Sequence, residues 1–280
     1  MMDLQEIIKG ITGLKFIPQV INKIMAIIQD PDSSLKDLAE VISFDATATA
    51  NVLKAANSAY YGRVKKFDTI HQAIVFLGMH EVADLVLMTG CAENLKRSQR
   101  GYGLTAGDLW RYSVSSALLA RKLATIKSMP DVHLIFTAAL LKDIGKVVLE
   151  QYVADGLQKI RVLLATGQYS FREAEKAVIG IDHAELGAMV ARFWRFSPMM
   201  IDIIGNHHWP GQAVQAKTQT AIVHASDVLC MMMGINDGLD ALAYRFDQDA
   251  IVSLGLTDLD LQSIIADFAE ELQKVEELIA

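Results

Sequence analysis

Cysteine is scarce in this chain, which excludes a zinc site built from cysteines. Two cysteines, Cys91 and Cys230, occur in 280 residues, so a cysteine zinc motif cannot form. Both lie within apolar helical patterns, far apart in sequence, where we expect buried free thiols. Free thiols are typical of a reducing compartment, and we therefore predict a cytoplasmic protein.

Long hydrophobic runs and a surplus of positive charge are also missing. The most apolar segment, residues 221–233, is interrupted by His224, Ser226 and Asp227, which argues against a membrane span. The start, MMDLQEIIKGITGL, has early acidic residues and no long apolar run, so no signal peptide is predicted. A net charge of -7 disfavours nucleic acid and anionic membranes as partners.

Period-two alternation is essentially absent, and almost every segment repeats its apolar residues with helical period. The sequence therefore predicts an all-α, multi-helix protein. N-cap motifs and glycines set the predicted helix ends. The motifs are Ser34–Asp37, Thr105–Asp108, Ser170–Glu173, Asp182–Glu185 and Ser197–Pro198, and the glycines are Gly62, Gly78, Gly167 and Gly234. The predicted helices are approximately 4–11, 18–29, 34–43, 46–59, 69–77, 79–96, 106–127, 131–150, 153–166, 171–179, 183–195, 198–208, 215–233 and 258–279.

A change of composition suggests how the helices are grouped. The segment KRSQRGYGLTAGD, residues 96–108, is rich in positive charge and glycine and is the best candidate boundary. We predict an N-terminal helical lobe over residues 1–100, a second lobe over 101–250 and a C-terminal amphipathic helix over 251–280. That helix is expected to pack on its own domain, and a homodimer helix is the alternative.

Polar residues interrupt a helical segment that is apolar on nearly all sides, ALLKDIGKVVLE. Lys142, Asp143 and Lys146 form a narrow polar strip there. A buried carboxylate needs a partner, so either a metal or a cation lies beside Asp143, or the strip faces a cleft. Other residues of ligand type lie in separate helices, as a metal site in a helix bundle requires. They are His183, His207, His208 and Asp227. Each alone is more typical of a satisfied core residue, and His224 is expected to be one.

In their order, these residues resemble the ligand pattern of the HD superfamily of metal-dependent phosphohydrolases. The segments AALLKDIGK, HAELG, NHHWP and SDVL carry the resemblance, which implies residual metal positions of low occupancy. These positions are Asp143, His183, His207, His208 and Asp227. Two positions depart from the pattern, because Tyr112 stands where the first histidine belongs and Lys142 replaces the histidine of the His-Asp pair. A lysine ammonium repels a divalent ion.

The N-terminal half resembles a narrower family, the HDOD domain, an HD-related output domain of bacterial signalling proteins. The motifs that carry this resemblance are LKFIP, DPDSSLKDLAEVI, ANSAYYG and TIHQAIVFLGMHEV. The resemblance implies an HD-domain-like helical bundle with no catalytic residues and no cofactor. It also implies a regulatory module that binds a signalling protein partner, often of response-regulator, GGDEF or EAL type, or a signalling nucleotide.

Two hypotheses follow for the altered site. In the first, Lys142 lies near Asp143 and Asp227 and replaces the charge of a metal by an internal ion pair. In the second, the protein is a metal-dependent phosphohydrolase or phosphodiesterase with a reduced site. Its divalent ion (Fe, Mn, Zn or Mg) would be held by the residual positions and would activate a water.

Overall fold

The computed structural model describes residues 9–14, 18–61, 66–235, 238–240 and 246–279. These residues form helices and no strand, and an isolated bridge pairs Gln99 with Leu104. The predicted all-α class is confirmed. Among the same residues, no helix is both long enough and apolar enough to span a bilayer.

The chain divides into two compact units. The large unit contains residues 1–14 and 94–268, and the small unit contains residues 15–93 and 269–280. The division in the first half of the chain therefore falls between Glu93 and Asn94. The boundary near residue 100 and the separate C-terminal segment remain predictions of the sequence.

The helices of the small unit pack around a core that includes Leu38, Ile42, Val52 and Ile74. Its helices are α1 (Pro18–Gln29), α2 (Leu35–Ser43), α3 (Ala46–Ala56), α4 (Ile70–Leu77) and α5 (Met79–Leu95), whose last two residues belong to the large unit. Ser34 and Asp37 form the predicted capping box at the start of α2. Gly78, with φ of 89°, ends α4 as predicted, whereas Gly62 lies outside the described residues.

The end of α3 is pinned by one asparagine of the ANSAYYG motif. The amide of Asn57 donates to the carbonyl oxygens of Leu53 at 2.8 Å and Phe67 at 2.9 Å. Its own carbonyl oxygen accepts the Phe67 N–H at 2.8 Å. These bonds tie the end of α3 to the segment that precedes α4, so Asn57 has a structural role in the small unit.

The large unit supplies the remaining helices and carries every candidate ligand residue. Its helices are α6 (Asp108–Ile126), α7 (Val132–Leu141), α8 (Ile144–Ala165), α9 (Phe171–Ile179), α10 (His183–Phe193), α11 (Pro198–Asn206), α12 (Lys217–Met232), α13 (Gln248–Ser253) and α14 (Asp258–Ile279), the last up to Phe268. Side chains of Ser170, Asp182 and Ser197 cap α9, α10 and α11 as predicted. Helix α13 has no counterpart in the sequence prediction.

The cap predicted from Thr105 and Asp108 is wrong. Gly107 occupies the N-cap of α6 with φ of 96°, a left-handed conformation that favours glycine. The Asp108 carboxylate accepts the N–H of Thr105 at 2.6 Å and its hydroxyl at 2.7 Å. The pair therefore closes the turn that precedes the helix.

The prediction of one helix over residues 131–150 is also wrong. Helix α7 ends at Leu141, and α8 begins at Ile144 and continues to Ala165, so the expected break near residue 150 does not exist. Asp143 occupies the N-cap of α8 with φ of -96° and ψ of 10°. The break occurs where two charged side chains enter the interior, and it is stabilised by contacts with distant helices.

Candidate functional site

The site begins at the break between α7 and α8, which a glycine brings against α10. A Cβ atom on Gly145 would lie 2.0 Å from the carbonyl oxygen of His183 and 2.9 Å from the backbone nitrogen of Gly187. Both neighbours are backbone atoms, which cannot rotate away. Glycine is therefore required at residue 145, and the contact places the start of α8 beside the start of α10.

Five charged side chains form an ion-pair cluster in the interior of the large unit. They are Lys142, Asp143, Lys146, Asp227 and Asp240, and all are buried. The Lys142 ammonium contacts Asp143 Oδ2 and lies 2.9 Å from Asp227 Oδ1. The Lys146 ammonium lies 2.8 Å from Asp143 Oδ1 and 2.7 Å from Asp240 Oδ2. Each lysine therefore bridges two carboxylates, and each oxygen of Asp143 faces an ammonium group.

Tyr112 completes this cluster from α6. The Lys142 Nζ lies 4.1 Å from the centroid of the Tyr112 ring, a cation–π contact that favours the ammonium form. The Tyr112 hydroxyl donates a hydrogen bond to Asp227 Oδ1. The two residues that depart from the HD pattern thus contact each other and share Asp227 as a partner.

The opposite charges outweigh the cost of burial in this cluster. Burial acts to lower the pKa of Lys142, yet Asp143 and Asp227 raise it above the ordinary value. Burial acts to raise the pKa of Asp143, but Lys142 and Lys146 hold it well below its usual range. Burial likewise opposes the effect of Lys142 on Asp227, whose pKa is lowered. The lysines are therefore cationic and these carboxyl groups anionic near neutral pH.

Three histidines form a second group, the histidine cluster, next to the first. One ring nitrogen from each of His183, His207 and His208 lies within 4.8 Å of the other two. The Nε2 atoms of His183 and His208 are 2.7 Å apart. His183 Nε2 and His207 Nε2 lie 3.7 Å and 4.0 Å from Asp143 Oδ1. Asp143 therefore lies between the two clusters, and its shorter contacts are to the lysines.

The outer ring nitrogens of two histidines have acceptors that set their tautomers. His183 Nδ1 lies 2.6 Å from Glu175 Oε2, and the Tyr102 hydroxyl donates to the other oxygen of Glu175 at 2.5 Å. His207 Nδ1 lies 2.8 Å from the carbonyl oxygen of Ile204. Among the described residues, the buried His207 Nε2 has no hydrogen-bond partner. With Nδ1 donating to that carbonyl, the ring of His207 keeps its lone pair on Nε2.

His224 has the structural role that the sequence predicts. Its Nδ1 donates to the carbonyl oxygen of His207 at 2.9 Å, and its Nε2 accepts the N–H of Asp247 at 3.1 Å. Burial lowers its pKa, which favours the neutral ring that this pair of bonds needs. The residue connects the end of α11 with the N-cap of α13.

The structure separates the predicted ligands into two groups. It brings His183, His207 and His208 together and places Asp143 beside them, but Asp227 belongs to the ion-pair cluster. Sequence reasoning missed Asp240 and Glu175. Asp240 lies outside any helix and repeats no pattern, and Glu175 sits in α9, an amphipathic helix whose acidic residues are typical of a solvated face. Neither position therefore shows a sequence pattern that predicts its role in the site.

The all-α chain matches one known protein family over most of its length. The model of the HDOD domain matches residues 14–210, and the chain therefore belongs to the HDOD family. An uncharacterized protein of Treponema pallidum (strain Nichols) is 27% identical over 198 residues, which are 69% of this chain. The chain spans 37% of the length of that relative.

Three solved structures share the fold. A Geobacter sulfurreducens HDOD domain protein of unknown function has a TM-score of 0.77 at 24% identity, over 98% of this chain and 96% of that one. A proposed phosphohydrolase of Shewanella amazonensis SB2B has a TM-score of 0.73 at 21% identity, over 98% of both chains. A proposed signal transduction protein of Marinobacter aquaeolei VT8 has a TM-score of 0.74 at 18% identity, over 98% of this chain and 64% of that one. At these identities the likeness supports the fold alone.

The divalent metal that the HD pattern implies fits one half of the site and not the other. On the carboxylate side, Asp143 and Asp227 already contact the Lys142 ammonium, which repels a metal cation. On the histidine side, the unpartnered His207 Nε2 and its two neighbours offer ligands of the type that transition metals prefer. Only a site without the carboxylates is compatible with these contacts.

The neutral His207 gives the protein an expected pH dependence in metal-free buffer. Burial lowers its pKa to about 3, whereas the unfolded imidazole binds a proton below about 6.5. The unfolded state then binds more protons, so stability falls as the pH decreases below about 6.5. Between pH 6.5 and 5.5 this residue should remove roughly 1 kcal/mol from the free energy of unfolding. Urea titrations with chelator measure it, and identical profiles for His207→Gln and the parent would contradict the assignment.

Proposed function

We propose that this chain is a non-catalytic regulatory module of bacterial signal transduction, which acts by binding a protein partner or a signalling nucleotide. The single observation that carries the proposal is the position of the Lys142 ammonium. It contacts Asp143 and lies 2.9 Å from Asp227, the two carboxylates that an HD enzyme would use for its metal. Membership of the HDOD family supports the same conclusion.

In this proposal, the two residues that depart from the HD pattern, Tyr112 and Lys142, stabilise each other. A lone lysine beside an intact metal site would be unstable, because like charges repel and a buried ammonium needs anions. Here Tyr112 offers its ring to Lys142 and its hydroxyl to Asp227. Lys146 neutralises the remaining oxygen of Asp143. Both oxygens of Asp143 and Oδ1 of Asp227 therefore have partners within the protein, and in this proposal these carboxylates need no catalytic ion.

Location and assembly belong to the same proposal. Both cysteines are free and buried, which suits the reducing cytoplasm. The partner is expected to be a signalling protein. A homodimer of this chain is the second assembly that the proposal allows. Nucleic acid and membrane are not expected partners, because the chain is acidic.

A hydrolysis assay and a metal analysis test the proposal. The parent protein, supplied with Mn²⁺, Fe²⁺ or Zn²⁺, is expected to hydrolyse bis(p-nitrophenyl) phosphate no faster than the buffer. Lys142→His restores the His-Asp pair and frees Asp227, so it is expected to retain more metal than the parent under the same loading. Phosphodiester hydrolysis by the parent that disappears in Asp143→Ala would overturn the proposal.

The runner-up function is a metal-dependent phosphohydrolase with a reduced site, and the convergent histidines are the observation that favours it. Three imidazoles hold the ion in some zinc enzymes. The assay above separates the two functions, because the runner-up requires turnover that depends on Asp143. Affinity capture from the native cell, with the parent and a fold-checked Lys142→Met variant as baits, then identifies the partner.

A further inference from the structure

The small unit carries a surface groove that the proposed function leaves without a role. Helices α1 and α2 form its walls, and the start of α3 also lines it. We propose that this groove binds one helix of the signalling partner, and that this helix is amphipathic and basic. The inference rests on the proposed function in one respect, namely that the module acts by binding a protein.

The groove follows the helical spacing of its walls. The described lining residues, which surround a volume of about 550 Å³, are Lys23, Ile27, Asp37, Glu40, Val41, Phe44, Asp45 and Ala46. Those from α2 and its C-cap are three or four positions apart, so they share one face over two turns. Lys23 and Ile27 are likewise one turn apart on α1. A groove along two helices has the shape into which a third helix packs.

The groove is open to solvent, which argues for a macromolecular occupant. Each described lining residue is exposed or half-exposed, and none is buried. A small-molecule site normally encloses most of its ligand, and this groove does not. The described part of the chain contains no strand, so it offers no sheet edge to which an extended peptide could add. A helix that packs against the two wall helices fits both observations.

Phe44 is the apolar anchor of the groove. It is 84% exposed, and no large apolar residue in the described part of the chain is more exposed. Ile27 and Val41, both half-exposed, line the same groove. Burial of apolar area drives protein association, and aromatic residues often supply most of the affinity of an interface. The partner helix should therefore present apolar side chains three or four positions apart.

The charge of the groove selects a basic partner. Three carboxylates and one ammonium group line it, which leaves two negative charges, and these groups belong to Asp37, Glu40, Asp45 and Lys23. Asp37 Oδ2 accepts the Ser34 hydroxyl at 2.7 Å. Asp45 Oδ1 accepts the Ala48 N–H at 3.0 Å. Two of the carboxylates are thus held in place, and the groove favours lysine or arginine beside the apolar face of the partner helix.

The walls of the groove are formed before any partner binds. Leu38 and Ile42 on α2 and Ile24 on α1 are inaccessible to solvent, so both wall helices are packed on the core of the small unit. The capping box of Ser34 and Asp37 fixes the start of α2. A surface that is already ordered loses little entropy on binding.

The same charge argues against a second copy of this chain in the groove. A two-fold contact would place two grooves of equal charge against each other, and the whole chain has a net charge of -7. Like charges across an interface cost affinity. The occupant is therefore a different protein that carries a basic segment.

The experiment selects helical peptides on the full chain. A display library of random helical peptides of about 18 residues, or five turns, is bound to the parent after counter-selection on Phe44→Ser. The surviving peptides are expected to carry a net positive charge and apolar residues three or four positions apart. The most enriched peptide is then synthesised, and its affinity for each protein is measured by fluorescence anisotropy.

Charge variants that took no part in the selection test the binding mode. Glu40→Lys should weaken the binding of this peptide at least about tenfold, because it reverses a charge in the groove. Lys23→Glu should strengthen it about two- to fivefold, a gain that misfolding cannot produce. The matched controls are Glu270→Lys, at an exposed glutamate of α14, and Phe193→Ser, at an exposed phenylalanine of α10. Both controls should bind as the parent does.

Folding of each variant is checked by circular dichroism. The inference is overturned if no peptide binds the parent without also binding Phe44→Ser, or if the selected peptides are acidic or uncharged. It is also overturned if Glu40→Lys and Lys23→Glu bind as the parent does. Light scattering of the parent alone adds one outcome, because a dimer that Phe44→Ser disrupts would assign the groove to a second copy instead.

The failure of this inference is distinct from the failure of the proposed function. Each outcome above leaves a regulatory module that can bind a nucleotide, or a protein through another surface. Hydrolysis that needs Asp143 would overturn the proposed function, whereas the peptide affinities of the groove variants would stay as measured.

Discussion

Replacement of Lys142 by alanine should lower the free energy of unfolding by about 3–5 kcal/mol, the cost of breaking a buried ion pair. The side chain is inaccessible to solvent and lies 2.9 Å from Asp227 Oδ1, while its second partner is Asp143. Its removal leaves Asp227 buried with the Tyr112 hydroxyl as its remaining partner in this cluster. Asp143 keeps Lys146, so Asp227 is the main source of the loss.

Chemical denaturation at pH 7 measures the effect, and an exposed lysine gives the matched control. Lys176 pairs with Glu185 on the surface, with 55% and 37% of the side chains exposed, and pairs of this kind contribute about 0–1 kcal/mol. Lys176→Ala should therefore change little. If Lys142→Ala cost no more than Lys176→Ala, the ion-pair cluster would not be the structural replacement for a metal.

A double-mutant cycle assigns the loss to the pair. Lys142→Met keeps most of the volume of the side chain, and Asp227→Asn removes the charge that Lys142→Met leaves unpaired. The double variant should be less destabilised than the sum of the single variants, because each single change leaves one uncompensated charge. Additive effects would show that Lys142 acts through packing and not through Asp227.

The sequence was sufficient for the parts of the site that local spacing controls. The polar strip of Lys142, Asp143 and Lys146 is visible as three charges in an apolar segment, and it predicts a metal or a cation beside Asp143, or a cleft that the strip faces. The capping boxes at Ser34 and Ser170 were equally local, and the structure confirms both. These features depend on residues within one helical turn, so the spacing in the sequence is enough.

Long-range contacts explain what the sequence could not predict. The break at residues 142–143 has no proline or glycine within it, and apolar residues surround it. It exists because Lys142 reaches Asp227 and because Gly145 meets α10. Asp240 is far from Lys146 in sequence but 2.7 Å away in space. No local rule connects such residues, and the metal-ligand pattern covers Asp143, Asp227 and the histidines but neither Asp240 nor Glu175.

Gly145→Ala is expected to be the most damaging single substitution of a small side chain in the large unit. Helix propensity alone predicts a gain of up to about 1 kcal/mol when alanine replaces glycine within a helix. The contact with α10 reverses the sign, because the new Cβ would lie 2.0 Å from the carbonyl oxygen of His183. Separating α8 from α10 should cost more than about 3 kcal/mol or prevent folding, beyond ordinary overpacking.

Gly211→Ala is the control, because a Cβ there has no heavy atom within 4 Å, and its effect should stay within about 0.5 kcal/mol. Thermal melts and expression yield compare the two variants under one set of conditions. A Gly145→Ala protein as stable as the parent would mean that α8 and α10 do not approach at this point. The placement of His183 beside Asp143 depends on this approach. The arrangement of both clusters around the Asp143 carboxylate would then be wrong as well. Loss of stability in Gly145→Ala but not in Gly211→Ala would instead show that the geometry of the site depends on the absence of a side chain at residue 145.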